Sequence, residues 1–142
     1  MPKVKVEKII KADREKVYKT ITDFENLPTK MPQFFKSIKI VSKENNSIII
    51  EESVKMAGRD INQKTKHILT FPEKHEVFIL EGDAKNSHII ETYEKISEGT
   101  RIIVEGDFNL SGKLKLVSFL VKGLIEKNIR EVLESITKLV EN

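Results

Sequence analysis

Between Phe35 and Phe108 the chain alternates polar and apolar residues with a period of two, and after Gly112 the period becomes helical. This switch limits the fold more than any other feature. A long run of two-faced strands needs a cover for its apolar face, and one long amphipathic helix follows it. Tight turns at Gly58-Arg59, Glu73-Lys74 and Glu98-Gly99, with a loop over Asp83–Asn86, predict a register. In that register Glu52 faces Thr65, Ile50 faces His67, Leu69 faces Phe78, Leu80 faces Ile89, Tyr93 faces Val104 and Glu91 faces Gly106. One face then carries Glu51, Lys64, Lys66, Glu81, Asp83, Arg101, Glu105 and Asp107, with opposite charges meeting across strands. The other carries Ile48, Ile50, Val54, Met56, Leu69, Phe71, Phe78, Leu80, Ile89, Ile102, Val104 and Phe108.

On the helix, Val117, Val121, Ile125, Ile129, Val132, Ile136 and Val140 fall on one stripe, broadened by Leu120, Leu124 and Leu133. It is predicted from about Lys113 to about Val140, roughly 40 Å at the rise of a helix. Upstream, Val4, Val6 and Ile9 mark a first strand. Asp13 suits an N-cap for a short helix carrying Val17, Ile21 and Phe24, and Pro28 and Pro32 bracket a broken second helix. The predicted architecture is α+β. A curved antiparallel sheet of about seven strands wraps a long C-terminal helix and encloses an apolar cavity, in one domain spanning residues 1–142.

Several function classes are excluded. The chain has no Cys, hence no disulfide framework, no thiolate metal site and no thiol nucleophile. His67, His75 and His88 lack metal-ligand spacing, and the expected register puts His67 inside, His88 outside and His75 at a turn. No His-Glu-x-x-His, G-x-S-x-G, P-loop or dinucleotide fingerprint occurs, so no metal or cofactor is expected. The net charge of +3 comes from scattered Lys, and no nucleic-acid partner is predicted. Met1–Glu7 has no apolar signal region. The apolar stretch Leu114–Ile125 is interrupted by Lys115 and Lys122 and falls short of the ~18 residues of a membrane span. A soluble, cytoplasmic protein without stable membrane insertion is expected.

The candidate ligand-binding residues are polar groups on the apolar face and their apolar neighbours. Glu52, Gln63, Thr65 and His67 form one polar cluster, with Glu52 diagonal to His67 so that each favours the other's charge. Unpaired burial of such groups costs about 1–3 kcal/mol each, which a wet cavity relieves and mutual pairing also relieves. Glu91 and Tyr93 form a second pair able to orient a carbonyl or to act as acid and base, or merely to bond one another. Phe78, Leu80 and Phe108 are expected to point into the pocket, under Leu120, Gly123 and Leu124 of the helix. Ile49, Ile68, Ile79 and Ile90 align on the outer face, which offers either a homodimer or partner surface or only scattered surface Ile.

The order of elements resembles the helix-grip fold of the START-like (SRPBCC) superfamily. The resemblance rests on Ala12-Asp13-Arg14-Glu15-Lys16-Val17-Tyr18, Thr22-Asp23-Phe24-Glu25-Asn26-Leu27-Pro28, Met31-Pro32-Gln33-Phe34-Phe35-Lys36-Ser37-Ile38 and Gly99-Thr100-Arg101-Ile102. Members include polyketide cyclases and dehydrases, coenzyme-Q-binding START-like proteins, the major birch pollen allergen and plant abscisic-acid receptors. The hormone-receptor likeness implies that Lys36 binds a ligand carboxylate, although Met56–Asp60 and Asp83–Ser87 depart from the receptors' gate and latch. The superfamily implies binding or transport of a hydrophobic small molecule, such as a lipid, polyprenyl quinone or polyketide-like compound, without a catalytic residue. A polyketide cyclase or dehydrase using Glu91, Tyr93 or His67 is the second reading. A ribosome- or protein-interaction module of the coenzyme-Q-binding type is the third.

Overall fold

Strand β1 (Lys3–Ile10) alternates strictly at its start, turning Val4 and Val6 inward and Lys3, Lys5 and Glu7 outward, and it ends on buried Ile10. Ile9 points out. The computed structural model describes residues 2–56 and 58–141, with the backbone alone for residues 113 and 114. Helix α1 (Arg14–Ile21) buries Val17 and Tyr18. A 3-10 turn (Phe24–Asn26) leads into the short α2 (Leu27–Lys30), whose Pro28 occupies the helix start, where a missing N–H costs nothing. Six strands follow in a meander: β2 (Phe35–Glu44), β3 (Ser47–Met56), β4 (Arg59–Thr70), β5 (Lys74–Glu81), β6 (His88–Ile96) and β7 (Gly99–Asp107). β1 pairs with β7, giving one antiparallel sheet in the order β1-β7-β6-β5-β4-β3-β2. Gly99 makes the last junction feasible: a Cβ there would lie 2.4 Å from the Ile10 carbonyl oxygen.

The chain then forms a 3-10 segment (Gly112–Val117) and α3 (Ser118–Val140). The regular helix therefore starts later than Lys113. Leu116 and Val117 find no core beneath them, and the first turn has neither a side-chain cap nor an acidic residue. Further on, Ile125, Leu133, Ile136 and Val140 are buried against the sheet and α1. Lys8 pairs with Glu134 at 2.9 Å, tying β1 to α3.

The strand registers differ from expectation in an instructive way. Met56 faces Arg59, so the β3–β4 register is set one residue earlier than a Gly58-Arg59 turn predicts; Ala57 lies outside the described residues. Ile50 consequently faces Thr65 and Glu52 faces Gln63, a shift of two that preserves each side chain's face. The β6–β7 turn falls at Ser97-Glu98 with the same result: Glu91 faces Val104 and Ile89 faces Gly106. Gly106 makes room for the Phe108 ring, whose Cε2 would lie 2.5 Å from an added Cβ.

The β4–β5 connection differs by an odd number. Thr70 pairs with Lys74 across Phe71, Pro72 and Glu73, with the Phe71–Pro72 peptide cis, and Leu69 faces His75 instead of Phe78. A slip of three flips the side chains of β5 up to Leu80, and only Glu81, beyond a register shift, keeps its outer face opposite Lys64. His75, Val77 and Ile79 are buried inside, while Phe78 and Leu80 lie on the outer face. Leu80 sits at a register shift between the Lys64–Glu81 and Thr65–Ile79 pairs. The β5–β6 register is also off by three, with Phe78 facing His88, and the second error cancels the first. β6 therefore keeps its expected face. The outer isoleucine ladder is broken, because Ile79 belongs to the interior. Phe71, expected inside, is half exposed at its turn.

Candidate functional site

The concave face of the sheet and α3 enclose a cavity of about 410 Å³. Its wall is apolar over most of its extent, with Phe24, Phe34, Val54, Ile89, Phe108 and Ile129 among its lining residues. Exposed Arg59, Asp60 and Asp83 stand at its edge. Val77 and Ile79 take the places expected for Phe78 and Leu80, so the pocket persists although two of its three marker residues point away.

Polar groups reach the cavity in two sets. The first is a chain of hydrogen bonds across neighbouring strands. Thr65 Oγ1 lies 2.8 Å from His67 Nε2, His67 Nδ1 lies 2.8 Å from His75 Nε2, and His75 Nδ1 lies 2.7 Å from Glu91 Oε1. The Tyr93 hydroxyl donates to the same Glu91 oxygen at 2.5 Å. Burial pushes the Glu91 carboxyl up, but the charge of His75 and the bonds from His75 and Tyr93 outweigh it and hold the pKa low. With Glu91 ionised, His75 donates through Nδ1. Two arrangements then engage every ring nitrogen: with His75 neutral, Thr65 donates to His67 and His67 to His75; with His75 charged, its Nε2–H donates to His67 Nδ1 and His67 Nε2–H donates to Thr65. Burial and then the charge of His75 hold His67 well below the ordinary histidine range, so the His67 ring is neutral in both. The expected ion pair of Glu52 with protonated His67 is therefore absent. The rings are clamped as well: His67 stacks on His75 at 5.0 Å between centroids, and Phe24 packs on His67 at 4.5 Å. Burial also raises Tyr93 well above 10.0 and Tyr18 to about 12, with Glu91 adding to both.

The second set is smaller and incomplete. Gln63 Nε2 donates to Glu52 Oε2 at 2.6 Å. No cation lies within ion-pair reach of Glu52 among the described residues. Burial raises its pKa, with Gln63 and then His75 opposing the rise. The two sets are alike in what they leave for a ligand. Both ring nitrogens of His67 and of His75 are engaged, whereas Glu52 and Glu91 each keep one oxygen with no protein donor among the described residues.

Of the residues singled out in the sequence, Glu52, Gln63, His67, Glu91, Phe108 and Leu124 line the cavity. Thr65 and Tyr93 are buried behind the lining and act on it through His67 and Glu91. Phe78 and Leu80 are excluded by the flip of β5. Lys36 lies on the surface, bonded to Asp60 at 2.9 Å and outside the cavity wall, because β2 turns it outward. Leu120 and Gly123 face away from the cavity, on the outer side of α3. Sequence reasoning missed His75. Pro72 was the available signal, since an X-Pro step marks the turn itself and not the residue before it. No group of three His, Asp or Glu able to hold a metal occurs among the described residues; His67, His75 and Glu91 are strung end to end.

A family model described as polyketide cyclase / dehydrase and lipid transport matches residues 1–141. Among solved structures, the protein TTHA0849 from Thermus thermophilus superposes with a TM-score of 0.85 at 21% identity, covering 96% of this chain and 95% of that one. The Zhui aromatase/cyclase from Streptomyces sp. R1128 gives 0.85 at 12% identity, covering 96% and 91%. A START superfamily protein from Mycobacterium smegmatis gives 0.82 at 18% identity, covering 98% and 95%. At these identities the likeness is one of fold. No curated protein matches the chain.

Proposed function

The chain belongs to the polyketide cyclase/dehydrase and lipid transport family, and from that premise we propose that its cavity binds or carries one hydrophobic small molecule: a lipid, a polyprenyl quinone or a polyketide-like compound. The observation that carries the reading is the cavity itself. Its volume of about 410 Å³ lies within the range of small-molecule sites, and its wall is apolar apart from the two polar sets, Asn128 and the charged residues Lys55, Arg59, Asp60 and Asp83. Apolar burial would supply the affinity, and Glu52 with Gln63 would orient a hydroxyl or other hydrogen-bond donor of the ligand. The ring nitrogens of His67 and His75 are already committed and would only shape that wall, while the second oxygen of Glu91 would offer another acceptor on it.

Native mass spectrometry of protein taken from its own host, with displacement of an apolar dye by lipids, quinones and aromatic polyketides, tests the proposal. A bound organic molecule and competitive displacement are expected. Failure of every hydrophobic compound to displace the dye, with no adduct in the native spectrum, would overturn it.

The enzymatic reading has one observation in its favour: Glu52 has a raised pKa, an open oxygen and an apolar cavity beside it, as a proton-transferring carboxyl requires. Turnover of a poly-β-ketone thioester into a cyclised product by the native protein, lost in Glu52→Gln, would establish it over simple binding.

A further inference from the structure

The start of the helical C-terminus breaks the rule by which this chain buries its large apolar side chains. Leu116 is 84% exposed, Phe119 74% and Leu120 57%, and Val117 and Leu124 are also exposed. On α3, positions 119, 120, 123 and 124 form one patch at spacings i, i+1, i+4 and i+5. Gly123 leaves its centre flat, since an added Cβ would meet nothing within 4 Å. Exposed Lys115, Lys122 and Lys127 border the patch, and none is in an ion pair among the described residues. From Gly112 to Ile125 the sequence holds Lys113, Lys115 and Lys122 and no acidic residue. The same segment sends Val121, Leu124 and Ile125 to the cavity wall, so patch and cavity are continuous.

We propose that this segment docks the protein on an anionic lipid bilayer, with Leu116, Phe119 and Leu120 at the boundary of headgroups and acyl chains and the lysines among the headgroups. A patch of large apolar side chains bordered by Lys115, Lys122 and Lys127, with Glu126 the one acidic residue beside them on the helix, carries a net positive border and fits an interfacial contact with anionic headgroups. No described helix is long and apolar enough to cross a membrane, which leaves contact in the plane of the interface. A second copy of the chain fits less well, because two-fold pairing of the patch would bring its lysines against their own counterparts. Docking in this way would present one wall of the cavity to a reservoir of apolar molecules. The inference goes beyond the binding proposal and stands on the surface alone.

Co-sedimentation of the full chain with phosphatidylcholine vesicles, with and without phosphatidylserine, tests it. Binding to the phosphatidylserine vesicles is expected at least about tenfold tighter than to the neutral ones, and it should weaken as salt is raised. The double substitution Phe119→Ser and Leu120→Ser should lose most of this binding at an unchanged melting temperature, because both side chains are exposed. Lys115→Glu with Lys122→Glu should abolish the preference for phosphatidylserine, and serves if the apolar variant does not fold. Three outcomes would overturn the proposal: no binding at any vesicle composition, equal binding by the parent and both variants, or a concentration-dependent dimer that the serine variant abolishes while vesicles bind neither form.

Discussion

The two ends of α3 are built from the same kinds of residue and meet different surroundings. Toward the C-terminus, Leu133, Ile136 and Val140 join Tyr18, Phe24, Tyr93 and Ile102 in the larger core cluster. Toward the N-terminus, Ile125 is the buried residue, in a smaller cluster with Val4, Phe108 and Leu110, and the leucines beside it stand in solvent. The polar groups do not follow the same division. Beside Phe24, every ring nitrogen and hydroxyl of the chain from Thr65 through His67 and His75 to Tyr93 is engaged, and Glu91 at its end keeps one oxygen without a donor among the described residues, as Glu52 does. One end of the helix is packed for stability, and the other keeps apolar surface in reserve.

The contrast can be broken most directly by truncation. Ile136→Ala should cost about 2–5 kcal/mol in a denaturant melt, because a large fully buried side chain leaves a cavity in a packed cluster. Glu91→Ala should cost about 1–3 kcal/mol for each partner left without its acceptor, His75 and Tyr93, in the same measurement. A loss well under 1 kcal/mol would mean that water replaces the carboxylate and that this end is as open as the other.

Acid should separate the ends further. The folded-state pKa values of His67 and Glu91 are both depressed, so both contribute stability that is present above their unfolded values and lost as pH falls. His67 acts first, since unfolded histidine gains its proton near 6.5 while the folded ring resists. The melting temperature should therefore fall below about pH 6.5 and fall faster in the range of ordinary carboxyls, and His67→Gln should flatten the first part of the decline. Glu52 has the opposite sign. Its raised pKa gives stability below 4.5 that is lost as pH rises, so Glu52→Gln should leave the neutral protein as stable as before or more so. The same variant should weaken a hydroxyl-bearing ligand about tenfold in dye displacement, while a plain hydrocarbon should be unaffected. Leu120→Ala should have the smallest effect, within about 0.5 kcal/mol in the denaturant melt. A loss comparable to that of Ile136→Ala would show that the exposed end of α3 is packed in solution.

Most of the fold was legible in the primary structure. The period-two run and the helical stripe determined seven antiparallel strands and one covering helix, because polarity with a regular period assigns faces without reference to anything distant. Registers off by an even number still placed Glu52, Gln63, His67 and Glu91 on the cavity side. What the sequence left ambiguous was β5, where Val77 and Ile79 alternate with Phe78 and Leu80 and either pair would make an apolar face. Only the closure of the turn at Phe71–Glu73 decided between them, and with that it decided that His75 lies inside and bridges His67 to Glu91. Exposure at the head of α3 was likewise beyond pattern reading. Val117 and Leu120 belong to the apolar stripe and look like core residues until the path of the sheet beneath the helix is known. The direction of a side chain follows from local periodicity, but its partner and its burial depend on where distant segments end, and those are set by turn length and packing.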